Sequence, residues 1–303
     1  MFNKDSKQWA KVIFGNANLG DPRRTKRLQQ IAEDMADNAG ASIVKACEAP
    51  EKIEAAYRFI RNEHISPEAI GESGYAKTCQ LMADSPLVLA IQDTTGLTFT
   101  HSVCDELGSI NCSSNAKKPG KARTLYAHST LIVEAKSEQM IGLADQYYWY
   151  RDEKVKGTRE ELQHRQFEDK ESFRWVQSLN DIEKRSKNLS NVINVCDREA
   201  DMYEYLSTQQ LAGRRFLVRA KNNRLLIDPK TTIKKLVKTA EQHLCYTVNV
   251  GQRGGRESRQ ANMHISYQKI LLAKPKRLIG EETLSLNIII CEEKESESES
   301  PLR

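Results

Sequence analysis

The chain has 303 residues, 39% of them hydrophobic and 29% charged, with a formal net charge of +5. Those proportions belong to a folded globular protein, not a disordered one, and the length allows one large domain or two ordinary ones. No stretch approaches the ~18 uninterrupted apolar residues of a membrane span, and the N-terminal MFNKDSKQWAKVIF lacks the apolar centre and cleavage site of a secretory leader, so a soluble, cytoplasmic protein with no membrane partner is expected.

Residues 6–62 carry helical periodicity. SKQWAKVIFGNANL spaces Trp9, Val12 and Ile13 along one face and ends near Gly15. Asp21-Pro22 then opens a second helix, with Asp as N-cap and Pro at the first helical position. Leu28, Ile31 and Met35 form its expected buried stripe before Gly40 ends it. Its first turn gathers Arg23, Arg24, Lys26 and Arg27. Cations are unfavourable beside the positive end of a helix dipole, so this cluster implies nearby acids or an anionic partner, for which a phosphate backbone would serve. A third helix is expected over residues 50–61, and Ser66-Pro67 starts a fourth that runs to Met82. The helical segment suits a small DNA-binding module. Its near-balanced charge, eleven bases and ten acids over residues 1–70, also suits an ordinary helical cap.

The pattern then changes. Residues 87–91 (LVLAI) are a continuous apolar run, the mark of a strand covered on both faces. The run leads into Gln92-Asp93-Thr94-Thr95-Gly96, and residues 97–100 alternate as a second strand. Residues 108–124 make a polar loop, residues 125–134 and 139–150 two further strands, and residues 151–190 a charged helical stretch. VINVC (192–196) is another apolar run that ends on an acid, Asp197, before the helical READMYEYL. RFLVRA (215–220) is a strand, and residues 247–250, 263–267, 270–272 and 284–290 suggest a β-rich appendage.

Charge is segregated along the second half. Residues 214–238 hold nine Lys/Arg against one acid, Asp228, and residues 252–277 hold seven against one, Glu257. Residues 281–303 reverse this, with seven Glu against two bases, and end in a low-complexity acidic tail. Two basic stretches of this density point to a polyanion, with nucleic acid foremost, or to a Lys-rich solvated surface. The seven cysteines are odd in number and scattered, with no C-x-x-C pair. A disulfide framework or zinc ribbon is therefore not expected, and the thiols should be reduced and mostly buried. His101, Cys104 and Cys112 lack a fourth ligand at metal-binding spacing.

Two segments share one design. VLAIQD and VINVCD each bring a single aspartate, Asp93 and Asp197, to the end of a buried strand. An unpaired carboxylate is costly to bury, and open α/β sheets bind ligands at the carboxyl ends of their strands. Neighbouring strands would set the two acids roughly 5 Å apart, where Mg²⁺ or Mn²⁺, which prefer oxygen ligands, would relieve their repulsion. Such a site suits phosphodiester chemistry. The plainer alternative is that each Asp caps a turn. Asp93-Thr-Thr-Gly-Leu-Thr also has the form of a phosphotransferase aspartyl nucleophile, but the later strand offers CDREAD without the glycines that such enzymes require.

Seven stretches, in order, resemble the insertion-sequence-four family of bacterial cut-and-paste transposases, the Tn-five-like group. They are W-A-K-x-x-F (9–14), LGDPRRTKRL (19–28), EAAYRFIRN (54–62), LAIQDTTGL (89–97), ELGSI (106–110), VCDREAD (195–201) and RFLVRAK (215–221). The resemblance implies a helical domain over residues 1–70 that binds transposon-end duplex DNA. An RNase H-like mixed α/β core over 71–222 and a β-rich insertion over 223–303 would follow, in a nucleoid-associated bacterial protein. It assigns Asp93 and Asp197 to the first two acids of an Asp-Asp-Glu metal triad that takes Mg²⁺ or Mn²⁺. Arg23, Arg24, Lys26, Arg27, Arg58 and Arg61 fall in its DNA-binding helices, and Arg198, Arg219 and Lys221 are candidates for phosphate contacts near the active site. The family's third acid lies in a Tyr-x-x-Arg-x-x-x-Glu-x6-Lys signature that this sequence lacks. The expectation is thus a C-terminally truncated transposase of impaired activity with an incomplete core. As an alternative, it would be a non-catalytic DNA-binding regulator, homodimeric or paired with the full-length enzyme.

Overall fold

A computed structural model describes residues 5–100, 102–107, 122–151, 165–252, 257–278 and 282–293, with the side chains of 104 and 105 excepted. Two compact units divide the chain: residues 1–200 with 211–219, and residues 201–210 with 220–303.

The first unit opens with five helices, α1 (Ser6–Phe14), α2 (Pro22–Asp37), α3 (Ile43–Cys47), α4 (Pro50–Ile60) and α5 (Pro67–Met82). Their starts are written locally. Asp5, Asp21, Ser42 and Ser66 each accept a hydrogen bond from a first-turn amide, and Pro22, Pro50 and Pro67 occupy the first helical position. Gly20, at φ +75, makes the left-handed turn that admits the chain to α2. Ala17, Leu19, Leu28, Phe59 and Ile65 form the bundle core, with Phe14 and Ile31 packed against it. Met35 departs from the expected stripe: it is 44% exposed, because that core reaches along α2 from Leu28 to Ile31 and not to Met35.

The sheet that follows is five-stranded, in the order β3-β2-β1-β4-β5. Its strands are β1 (Val88–Phe99), β2 (Arg123–Glu134), β3 (Met140–Tyr150), β4 (Val192–Cys196) and β5 (Arg215–Val218). β1, β2 and β3 form an antiparallel meander, while β4 runs parallel to β1 and β5 parallel to β4. This mixed α/β arrangement agrees with the core expected from the sequence. The charged stretch after β3 yields one helix among its described residues, α6 (Arg174–Ser186), preceded by a single 3-10 turn at Glu171–Phe173.

α5 and α6 cover one face of this sheet. Cys79 and Met82 from α5 and Leu179 and Ile182 from α6 close over Val88, Ala90, Ile132, Ala144 and Val192. α5 comes so close to β3 that a Cβ on Gly142 would lie 2.5 Å from Thr78 Oγ1.

One expectation is corrected here. Gln92-Asp93-Thr94-Thr95-Gly96 does not separate two strands: β1 is continuous from Val88 to Phe99. β2 matches it residue for residue, with Asp93 opposite Ser129, Thr95 opposite Ala127 and Phe99 opposite Arg123, and the β-branched threonines suit an extended backbone. What stops at Gln92 is the pairing with β4.

The second unit holds α7 (Tyr203–Leu211, to residue 210), β6 (Leu226–Asp228), α8 (Ile233–Thr239), β7 (Leu244–Val250), β8 (Arg259–Ala273) and β9 (Thr283–Glu293). β8 is central and antiparallel to β6, β7 and β9. The two short strands expected over 263–267 and 270–272 are one fifteen-residue strand, because β9 pairs with it without interruption from Met263 to Ala273. Val250, Ala261 and Met263 form an apolar cluster, and Glu293, buried at the end of β9, accepts from Nη1 and Nη2 of Arg259.

Candidate metal centre and nucleic-acid interface

β1 and β4 pair in parallel from Val88 with Val192 to Gln92 with Cys196. The next residue on each chain is an aspartate, so Asp93 and Asp197 occupy adjacent register positions where the pairing ends. Neighbouring strands lie roughly 5 Å apart. Gln92 and Cys196 are buried on the helix-covered side, at 1% and 5% exposure, and strand alternation turns Asp93 to the opposite, more open face. β5 adds a third register neighbour. Val218 pairs with Cys196 and the Arg219 amide donates to the Cys196 carbonyl at 3.1 Å, which sets the exposed Arg219 beside Asp197.

The Asp93 carboxylate makes no ion pair or hydrogen bond among the described residues. Asp197 Oδ1 accepts the Glu199 amide at 2.7 Å, so the turn-capping role is real for Asp197, while Oδ2 has no hydrogen-bond partner among the described residues. Two carboxylates at adjacent register positions are a hard-oxygen donor pair, which would suit Mg²⁺ or Mn²⁺ and not a thiophilic metal. Among the described residues no third His, Cys, Asp or Glu joins them to complete a group of three.

Behind the aspartates lies a polar network that the sequence did not signal. His128 is fully buried, as is the Gln92 side chain between it and Asn194. His128 Nδ1 lies 2.9 Å from Thr94 Oγ1 and Nε2 lies 2.9 Å from Gln92 Oε1. Gln92 Nε2 donates to Asn194 Oδ1 at 3.0 Å, and Asn194 Nδ2 to Cys196 Sγ at 3.2 Å. The Trp175 ring meets the imidazole edge-on at 4.6 Å. Burial, aided by the charge of Arg174, pushes the His128 pKa down to about 3, so the imidazole is neutral. Three strands are thereby tied together by side chains as well as by their ladders. Hydrophobic periodicity registers these positions only as interruptions, so it carries no signal of the network.

Arg174, at the start of α6, likewise has no distinguishing sequence signal. It donates to Thr94 Oγ1 (3.3 Å), to the Glu171 carbonyl (2.8 Å) and carboxylate (3.2 Å), and to Glu199 Oε2 (3.2 Å). Its guanidinium lies 4.7 Å from the centre of the Trp149 ring. Arg151 forms a second ion pair with Glu171 and lies over Tyr126 at 4.4 Å.

The basic residues of the helical bundle separate by what already engages them. Arg23 is held by Asp21 and Arg58 by Glu54, both on the surface. Arg24 is a structural tie: its Nη1 donates to the Leu19 carbonyl at 2.9 Å and to the His64 carbonyl at 3.4 Å, joining the start of α2 to the loop after α4. Arg61 lies over the Tyr57 ring at 5.5 Å. Lys26 and Arg27 have no such partner among the described residues, so the anion expected at the start of α2 would meet these two first. Arg198 is exposed beside Asp197. Lys221 belongs to the second unit, where its main-chain amide donates to the buried Asp201 together with Asn222 and Arg224.

His101 and Cys112 lie outside the described residues. Cys47, Cys79 and Cys196 are buried free thiols, whereas Cys245 is exposed and Cys291 partly so. No described helix is long and apolar enough to cross a membrane.

Residues 6–65 match the family model for transposase DNA-binding domains. The match spans α1 to α4, and this helical bundle is a transposase DNA-binding domain.

Proposed function

We propose that the chain is a cut-and-paste DNA transposase of the insertion-sequence-four type. Its helical domain grips transposon-end duplex, and its mixed sheet, RNase H-like, acts on the phosphodiester at Asp93 and Asp197. The observation that carries this is the parallel β1–β4 register, which brings two aspartates 104 positions apart in sequence to adjacent positions where that pairing ends, in a chain whose first helices match a transposase DNA-binding domain. A bound Mg²⁺ or Mn²⁺ would supply water activation and stabilise the leaving oxygen. The protein's part is positional: Asp93 and the outer oxygen of Asp197 provide the ligands, Arg219 and Arg198 hold the phosphate, and Lys26, Arg27 and Arg61 fix the duplex. Two carboxylates alone would hold the ion weakly, and cleavage would be slow.

A second reading is a DNA-binding regulator that occupies transposon ends without cutting. The lack of a third acid beside Asp93 and Asp197 among the described residues favours it. Plasmid nicking in Mn²⁺, compared between wild type and Asp93→Ala, separates the two. Nicking that the substitution abolishes supports the transposase. No nicking, with end binding retained, supports the regulator. DNA affinity that does not weaken with added salt refutes both.

A further inference from the structure

We propose that Arg174 is a positioning residue for the two-aspartate site, locking β1 and β4 to each other at the point where their pairing ends, so that Asp93 and Asp197 keep one separation. This rests on the reading of those residues given above. Arg174 is 11% exposed at its side chain, and its planar guanidinium points three ways at once. Nε holds Thr94, the residue after Asp93. Nη2 holds Glu199, whose own amide donates to Asp197. Nη1 holds Glu171 through both its carbonyl and its carboxylate, at the turn that leads into α6. One rigid group thus bridges the residue that follows the first aspartate and the turn that follows the second.

The direction of the hydrogen bonds extends the lock. Arginine only donates, so Thr94 Oγ1 accepts from Arg174 and turns its own proton to His128 Nδ1. The neutral imidazole must then carry its hydrogen on Nε2, which donates to Gln92 Oε1. Gln92 donates onward to Asn194, and Asn194 to Cys196. The donor chain therefore begins at Arg174 and ends at the residue immediately before Asp197, passing through both sequence neighbours of Asp93. With Nε, Nη1 and Nη2 all engaged and two carboxylates, Glu171 and Glu199, already against it, Arg174 is committed to alignment and not to gripping a DNA phosphate. Lysine cannot replace it, since a single ammonium has no planar fork to span three partners.

The test is Mn²⁺ binding to the full chain, followed by electron paramagnetic resonance of the free ion, with each variant's melting temperature measured in parallel. Asp93→Asn should abolish binding. Arg174→Gln and Arg174→Lys should both weaken it about tenfold in protein that is still folded. Thr94→Val and Glu199→Gln, which leave the buried guanidinium in place, should each weaken it about threefold, and they carry the test should the Arg174 variants fail to fold. A purely structural arginine would lower the melting temperature without moving the Mn²⁺ affinity of the folded fraction, and that result overturns the proposal. So does a loss confined to Glu199→Gln, which would make Glu199 a ligand. If Asp93→Asn itself leaves binding unchanged, the two-aspartate reading fails first.

Discussion

Neutral His128 at the centre of the buried network makes acid sensitivity the sharpest consequence of this core. Its pKa falls from 6.5 to about 3 on folding because of burial and, secondarily, Arg174. The unfolded chain therefore binds a proton below pH 6.5 that the folded chain refuses. The contribution of His128 to stability is complete above that pH and drains away as the pH falls toward 3. The slope is at most ~1.4 kcal/mol per pH unit, and between pH 7.5 and 4.5 the loss amounts to ~3 kcal/mol. Other groups titrate over the same range, so the measurement is a difference: urea unfolding of wild type and of His128→Gln, followed by tryptophan fluorescence at half-unit steps. The variant should be less stable at pH 7.5, since its amide cannot reach both Thr94 and Gln92 as the ring does. The gap should then close by ~3 kcal/mol by pH 4.5. A gap that stays constant within 1 kcal/mol would refute the buried, neutral imidazole.

Three further outcomes follow from other contacts. Lys26→Ala with Arg27→Ala should weaken duplex binding and lower the salt slope of log Kd by about 1–2, whereas Arg24→Ala should chiefly lower the melting temperature of the helical domain, because its guanidinium ties Leu19 to His64. Gly142→Ala should cost about 1–3 kcal/mol, read by urea unfolding, since the new methyl would meet Thr78 Oγ1 at 2.5 Å. Asp201→Asn should destabilise the second unit by about 3 kcal/mol by leaving Arg224 poorly paired. Burial raises the Asp201 pKa, but the Arg224 hydrogen bond and the Asn222 and Lys221 amides outweigh it and hold the carboxyl below its usual range. That share of stability is thus present above about pH 4 and lost as the pH falls through the folded-state value, a decline that calorimetry on wild type should show and the variant should lack.

Much of this architecture was legible in the chain because it is local. A capping residue and a proline marked where α2 and α5 begin, apolar spacing marked α1, and the apolar runs before Asp93 and Asp197 marked two covered strands. Local signals also misled. Asp-Thr-Thr-Gly has turn composition, yet β2 provides a matching partner for every residue and the strand continues. α3, α8 and β6 were not expected, being too short or too basic for periodicity to register against their surroundings.

What the sequence determined by itself was the pair of aspartates and the cationic start of α2, since an acid closing an apolar run and four bases on one helical turn are unusual in any fold. What only the tertiary structure decided was which of those charges are already spent and what surrounds them. Arg24 is taken by two carbonyls and Arg23 by Asp21. His128, Gln92, Asn194 and Arg174, drawn from three strands and a helix, meet around the β1–β4 pairing. Hydrogen bonds between residues 36 to 102 positions apart leave no periodicity along the chain, so nothing short of strand order and register could bring them into view.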